Sequence, residues 1–206
     1  LAAHECGHLI RMYSVPLESR LMPVTTPQHR RRAIYDSALG IERLSQLGMP
    51  DVAIVDMIGF LHQSIVRQVT NFPADFRIER WLREEYPGLQ EFQSPALRRQ
   101  HEEQLKTVKP EVKELTPKRM FNATNVMNAA YGRYMARLIE DRGLFSPYRR
   151  TQFAEQGRAL ADEIWDSEDR GYYSDVAEAQ GWAELLGVSG WFEWRRLDEV
   201  QDVRLA

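Results

Sequence analysis

His4, Glu5 and His8 stand together in the stretch LAAHECGHLI at the start of the chain. Two histidines four residues apart, with a glutamate directly after the first, is a spacing that a helix turns into a metal site. At about 100° of rotation per residue, His4 and His8 project from nearly the same line, one turn apart. Both imidazoles then reach a single ion. Glu5 stands beside them, placed to take a proton from a water on that ion and not to ligate it. Cys6 points to the opposite side and reads as a small core residue, with Gly7 on the flank. The plain alternative is a pair of helix histidines hydrogen-bonded in a core.

The segment AAHECGHLI resembles the active helix of the zincin metallopeptidases. The resemblance covers that segment alone, and its motif is specific for the superfamily and not for one branch of it. It implies a zinc ion held by His4 and His8, Glu5 as general base, and a peptide or protein as substrate. It also implies a mainly α fold with a zincin-like helical metallopeptidase core. Only Leu1, Ala2 and Ala3 precede His4, so an N-terminal β-sheet portion is expected to lie outside this chain.

Zincin branches differ in the origin of the third ligand. The metzincin pattern places a glycine and then a third histidine at fixed steps after the second histidine; here those positions hold Arg11 and Ser14. A carboxylate from a later helix is the other solution, and NFPADFRIERWL supplies candidates. Asn71, Asp75 and Glu79 follow one another at i, i+4 spacing and share one face of a continuous helix. The acid pair resembles the gluzincin arrangement with its order reversed, aspartate before glutamate. By position, Asp75 ligates and Glu79 bonds the far nitrogen of a ligand histidine; by residue type, Glu79 ligates and Asp75 supports. Asp75 is the first choice of the two. Arg77, Arg80 and Arg83 offer a competing reading, in which both acids belong to a salt-bridged surface.

His29 and His62 are further candidates for a third histidine, though His62 lies on an apolar stretch where a satisfied core histidine is the ordinary finding. A di-iron bundle needs a second Glu-x-x-His pair, and Thr26, Gly59 and Arg98 stand three residues before His29, His62 and His101. No nucleophile elbow is present. Tyr131, Asn128 and Tyr134 are candidate donors to an oxygen that gains charge during amide hydrolysis.

The elements that must position these residues read as helices almost throughout. Leu1 to about Tyr13 carries the histidines, and an irregular, proline-rich stretch follows that has room for a short strand. Apolar periodicity predicts helices over about 28–47 and 51–70, a break at Asn71-Phe72-Pro73, and a further helix to Tyr86. Residues 1–89 form the expected metal-binding core. Residues 90–116 read as a polar, exposed excursion, and residues 117–206 as a C-terminal helical part. In that part a helix runs to Arg142, another spans about 147–167, and Trp182, Trp191, Phe192 and Trp194 dock a tail.

The composition, 43% hydrophobic and 28% charged, is that of a globular chain able to bury a core unaided. A net charge of −3 gives no field that would draw nucleic acid or an anionic membrane. No apolar run has the length of a membrane span. The single cysteine forms no internal disulfide, which fits a cytoplasmic setting. The alternative to an enzyme is a non-enzymatic zincin-like helical interaction module with a vestigial or structural metal.

Overall fold

The computed structural model describes residues 2–200. In chain order it has α1 (Ala2–Tyr13), β1 (Leu21–Val24), α2 (Pro27–Asp36), α3 (Ala38–Gln46), α4 (Asp51–Glu85), α5 (Gln90–Leu105), α6 (Pro110–Leu115), α7 (Lys118–Leu138), α8 (Ala154–Asp166), α9 (Tyr172–Leu185) and β2 (Glu193–Arg196). The mainly α class read from periodicity holds. Leu1, expected at the start of the first helix, lies outside the described residues.

α4 is the axis of the fold. A break was expected at Asn71-Phe72-Pro73, yet the helix runs straight through Pro73 for 35 residues. An interior proline costs about 3 kcal/mol, through a lost hydrogen bond and a clash with the preceding turn. Val69, Phe72, Phe76 and Ile78 on either side of it are all buried, each contributing about 1.5–3 kcal/mol. Packing therefore outweighs the local preference. The consequence is functional: Asp75 and Glu79 sit on a rigid segment anchored at both ends.

Around α4, the helices α7, α8 and α9 enclose an aromatic centre. Phe76 stacks on Tyr134 with ring centroids 4.5 Å apart and meets Trp182 edge-on at 5.7 Å. Gly157 of α8 lets that helix close on α7, since a Cβ there would lie 2.6 Å from Ala129 Cβ. The tail docks as its aromatics predicted, with Trp182, Trp191 and Phe192 buried. β2 pairs antiparallel with β1, Leu21 opposite Arg196 and Val24 opposite Glu193, so the irregular stretch does contain a strand.

The helix expected over 28–47 is two helices, bent at Ser37 (φ −106°, ψ 6°). The bend allows both Ala33 and Leu44 to enter the core. α7 stops at Leu138, short of Arg142, where Glu140 takes a left-handed conformation (φ 56°). The residues from Arg142 to Tyr148 form a 3₁₀ segment before α8 begins at Ala154. The expected exposed excursion is in part a packed element: α5 buries Gln93, Leu97, His101 and Gln104, while α6 has no buried residue.

Among the described residues, no helix is long and apolar enough to cross a membrane.

Candidate metal centre

α1 lies across α4 on a small apolar patch of Ala74, Ile78 and Leu82. Gly7, the one buried residue of α1, makes the crossing close. A Cβ on it would come within 2.6 Å of Ile78 Cγ2. Beyond the patch, Arg11 forks into Asp175 (2.7 Å from Nε and from Nη2) and Asp169 (2.9 and 2.7 Å). Arg77, buried at 4% exposure, pairs with Glu178 on α9. These contacts fix both the rotation of α1 and its slide along α4.

With α1 so held, His4 and His8 turn onto Asp75 and Glu79. His8 Nε2 lies 2.9 Å from Asp75 Oδ1, and His4 Nε2 lies 3.2 Å from the same oxygen and 3.2 Å from His8 Nε2. His4 Nδ1 donates to Glu79 Oε1 at 2.7 Å. The two rings meet edge-on, centroids 4.9 Å apart. Zinc bonds of about 2.0–2.1 Å in a tetrahedral array separate neighbouring ligand atoms by about 3.3 Å. The two imidazole nitrogens and the Asp75 oxygen stand close to that spacing, so the donor set fits a zinc ion. This triad, His4, His8 and Asp75, is a cluster able to hold a metal.

The electrostatics of the cluster follow from its crowding. Burial disfavours a charged His4, but the hydrogen bonds and charges of Asp75 and Glu79 more than reverse this, and its pKa rises to about 10. Burial would raise Asp75, yet His4 and His8 hold its carboxyl below the usual range. Without a metal, His4 therefore keeps a second proton, held against the two acids.

Glu79 has a second partner. Gln93 of α5 donates through one amide nitrogen to the Glu79 carbonyl (2.8 Å) and to its Oε2 (2.7 Å). A relay thus runs from Gln93 through Glu79 to His4. Sequence reading missed it, because the buried stripe of α5 is itself largely polar and leaves no apolar periodicity to follow.

A cavity of about 440 Å³ opens beside the cluster, lined by His4, Glu5, Asp75, Glu79, Gln93 and Tyr131, with a remainder that is apolar apart from Gln100. Glu5 itself is exposed. Of the three candidate donors, Tyr131 lines the cavity, its hydroxyl 3.3 Å from the Leu97 carbonyl. Burial, reinforced by Glu79 and Asp75, pushes its pKa well up, so the hydroxyl stays protonated. Asn128 is spent on Thr107 (3.1 Å) and Tyr134 stacks in the core.

Other expectations are corrected. Cys6 is an exposed free thiol and not a core residue, because Gly7 takes the buried side of α1. Asn71 is exposed and does not join the acids. The arginines near the acids turn elsewhere: Arg80 to Glu84 at 2.9 Å and Arg83 to Ser94 at 3.3 Å. His29 closes a capping box at the start of α2, accepting from the Thr26 N–H at 3.1 Å. His62 donates to the Trp191 carbonyl at 2.8 Å inside the core.

No family model, curated protein or solved structure matches the chain.

Proposed function

We propose that this chain is a zinc-dependent hydrolase, a metallopeptidase acting on a peptide or protein. The observation that carries the reading is the convergence of His4 Nε2, His8 Nε2 and Asp75 Oδ1 within 2.9–3.2 Å of one another, with His4 and Asp75 on the wall of a cavity that Glu5 also lines. His4, His8 and Asp75 would hold the ion. Glu79 fixes the His4 ring through Nδ1 and so leaves Nε2 free to ligate.

A bound zinc ion supplies Lewis acidity toward an amide carbonyl and toward a water. The protein's own groups do the rest. Glu5 takes the proton of the attacking water and returns it to the amine as the C–N bond breaks. Tyr131 would turn its hydroxyl hydrogen from the Leu97 carbonyl to the substrate's carbonyl oxygen as that oxygen gains charge.

A second reading is a helical interaction module in which the cluster is only an ion pair. Its support is the high pKa of His4, about 10, which lets the cluster satisfy itself without an ion. Hydrolysis of a pool of internally quenched peptides separates the two. The enzyme reading expects zinc-dependent cleavage that Glu5→Gln abolishes while zinc binding persists. Cleavage unchanged in Glu5→Gln, or none in the zinc-loaded parent, contradicts it.

A further inference from the structure

The cavity beside the cluster has two unlike walls. One carries His4 and the acids; the other is built by Leu82, Leu89, Phe92, Ala96, Leu97 and Met135, with Gln100 its polar member. Leu97 and Met135 are buried in the floor, whereas Phe92 is 69% exposed although it faces the same space. Leu89, just before α5, and Phe92, in its first turn, both border this space. At about 440 Å³ the space falls within the range of ligand pockets, about 300–1,000 Å³.

We infer that this cavity receives a bulky apolar side chain of the peptide, Phe or Leu in kind, next to the bond that is cut. The inference rests on the peptidase reading for its chemistry, but the pocket's preference is its own. An acidic side chain would meet Glu5, Asp75 and Glu79, and among the described residues no lysine or arginine lines the cavity to receive it. A basic side chain would lose its water at an apolar floor, because Asp75 and Glu79 are already bonded to the histidines and Gln93 and Glu5 is itself exposed to water. An apolar side chain covers Leu89 and Phe92 and leaves the Gln93–Glu79–His4 relay intact.

The test is calorimetric and needs no turnover. Blocked hexapeptides of alanine with Phe, Leu, Ala, Glu or Lys at one central position are titrated into the Glu5→Gln protein, with and without zinc. The Phe and Leu peptides are expected to bind about 10-fold or more tightly than the Ala peptide, and the Glu and Lys peptides no better than Ala. Ala96→Trp, which fills the cavity, should erase the preference while zinc affinity is unchanged. Phe92→Asp, at an exposed position that folding does not depend on, should weaken the Phe and Leu peptides alone. Equal binding of all five peptides, or a preference untouched by both variants, overturns the inference even if zinc binds. An apolar preference that persists without any zinc binding, and disappears in both variants, supports the pocket while the catalytic reading fails.

Discussion

His4 Nδ1 and Glu79 Oε1 stand 2.7 Å apart although 75 residues separate them in the chain. This contact decides what the His4 ring can do. With Nδ1–H committed to a carboxylate, the ring's orientation is set and its Nε2 faces Asp75 and His8. A carboxylate behind a histidine also raises its basicity, as in metal sites where such a partner tunes a ligand.

Gln93 should act through that contact. Gln93→Leu removes both hydrogen bonds from the Gln93 amide nitrogen to Glu79 and frees its carboxylate to turn from His4. Zinc affinity is expected to fall about 10–100-fold, the range for a lost supporting partner, with the helical circular dichroism spectrum unchanged. Gln93→Glu, which places a second carboxylate against Glu79, should weaken zinc further, and Gln93→Asn should restore part of the loss. Competition against a chromophoric chelator measures all three.

The pH dependence of the metal-free protein has a defined sign. The folded pKa of His4, about 10, lies above its ordinary 6.5, so its stabilisation is complete below pH 6.5 and disappears as pH rises through about 10. The stability gap between the parent and His4→Gln should therefore be widest below pH 6.5 and narrow steadily above it. His62 and His101 are shifted downward by burial and work in the opposite direction, but they are common to both proteins and cancel in the difference. Urea titrations at a series of pH values check this. A gap that widens with rising pH would contradict the assignment.

Proton release should accompany zinc binding. The ion displaces the proton that His4 keeps in the metal-free cluster, so apparent affinity rises with pH up to about 10. Calorimetry of zinc binding in two buffers of unlike ionisation enthalpy counts the protons released near neutral pH. Absence of release would mean that the ion binds elsewhere.

Arg77 is the mechanical keystone of the site. Its side chain is 4% exposed and pairs with Glu178, and Asp169 and Asp175 lie 3.6 and 3.7 Å from it. Arg77→Ala leaves Glu178 without a counter-charge, while Asp169 and Asp175 keep Arg11, a loss of about 3–5 kcal/mol for a broken buried pair. Gly7→Val should cost less, about 1–3 kcal/mol, because Ile78 must shift to admit the side chain. It should reduce zinc affinity more than Arg77→Ala does per unit of stability lost, since it lifts α1 directly off α4.

The histidine pair and the acid pair were legible because helical spacing alone puts each on one face; that the face of α4 with Asp75 and Glu79 meets α1 is a matter of packing that spacing does not give. Pro73 misled, since local preference spoke for a break and only the packing of Phe72 and Phe76 on α7 and α9 speaks for continuity. Cys6 and Gly7 were exchanged in role: spacing gave their angles on α1, but the depth of the Gly7–Ile78 contact depends on a helix many residues away. Gln93 was invisible for a different reason. A buried glutamine whose partners are a carbonyl and a carboxylate on another helix has no sequence signature of its own.

The most direct test is zinc content by elemental analysis, after the protein is equilibrated with zinc and freed of excess. The account predicts stoichiometric zinc in the parent, none in His4→Ala or Asp75→Ala, and bound but weakened zinc in Glu79→Gln, by about 10–100-fold. A parent protein that takes up no zinc, or a His4→Ala protein that keeps it, would contradict the account.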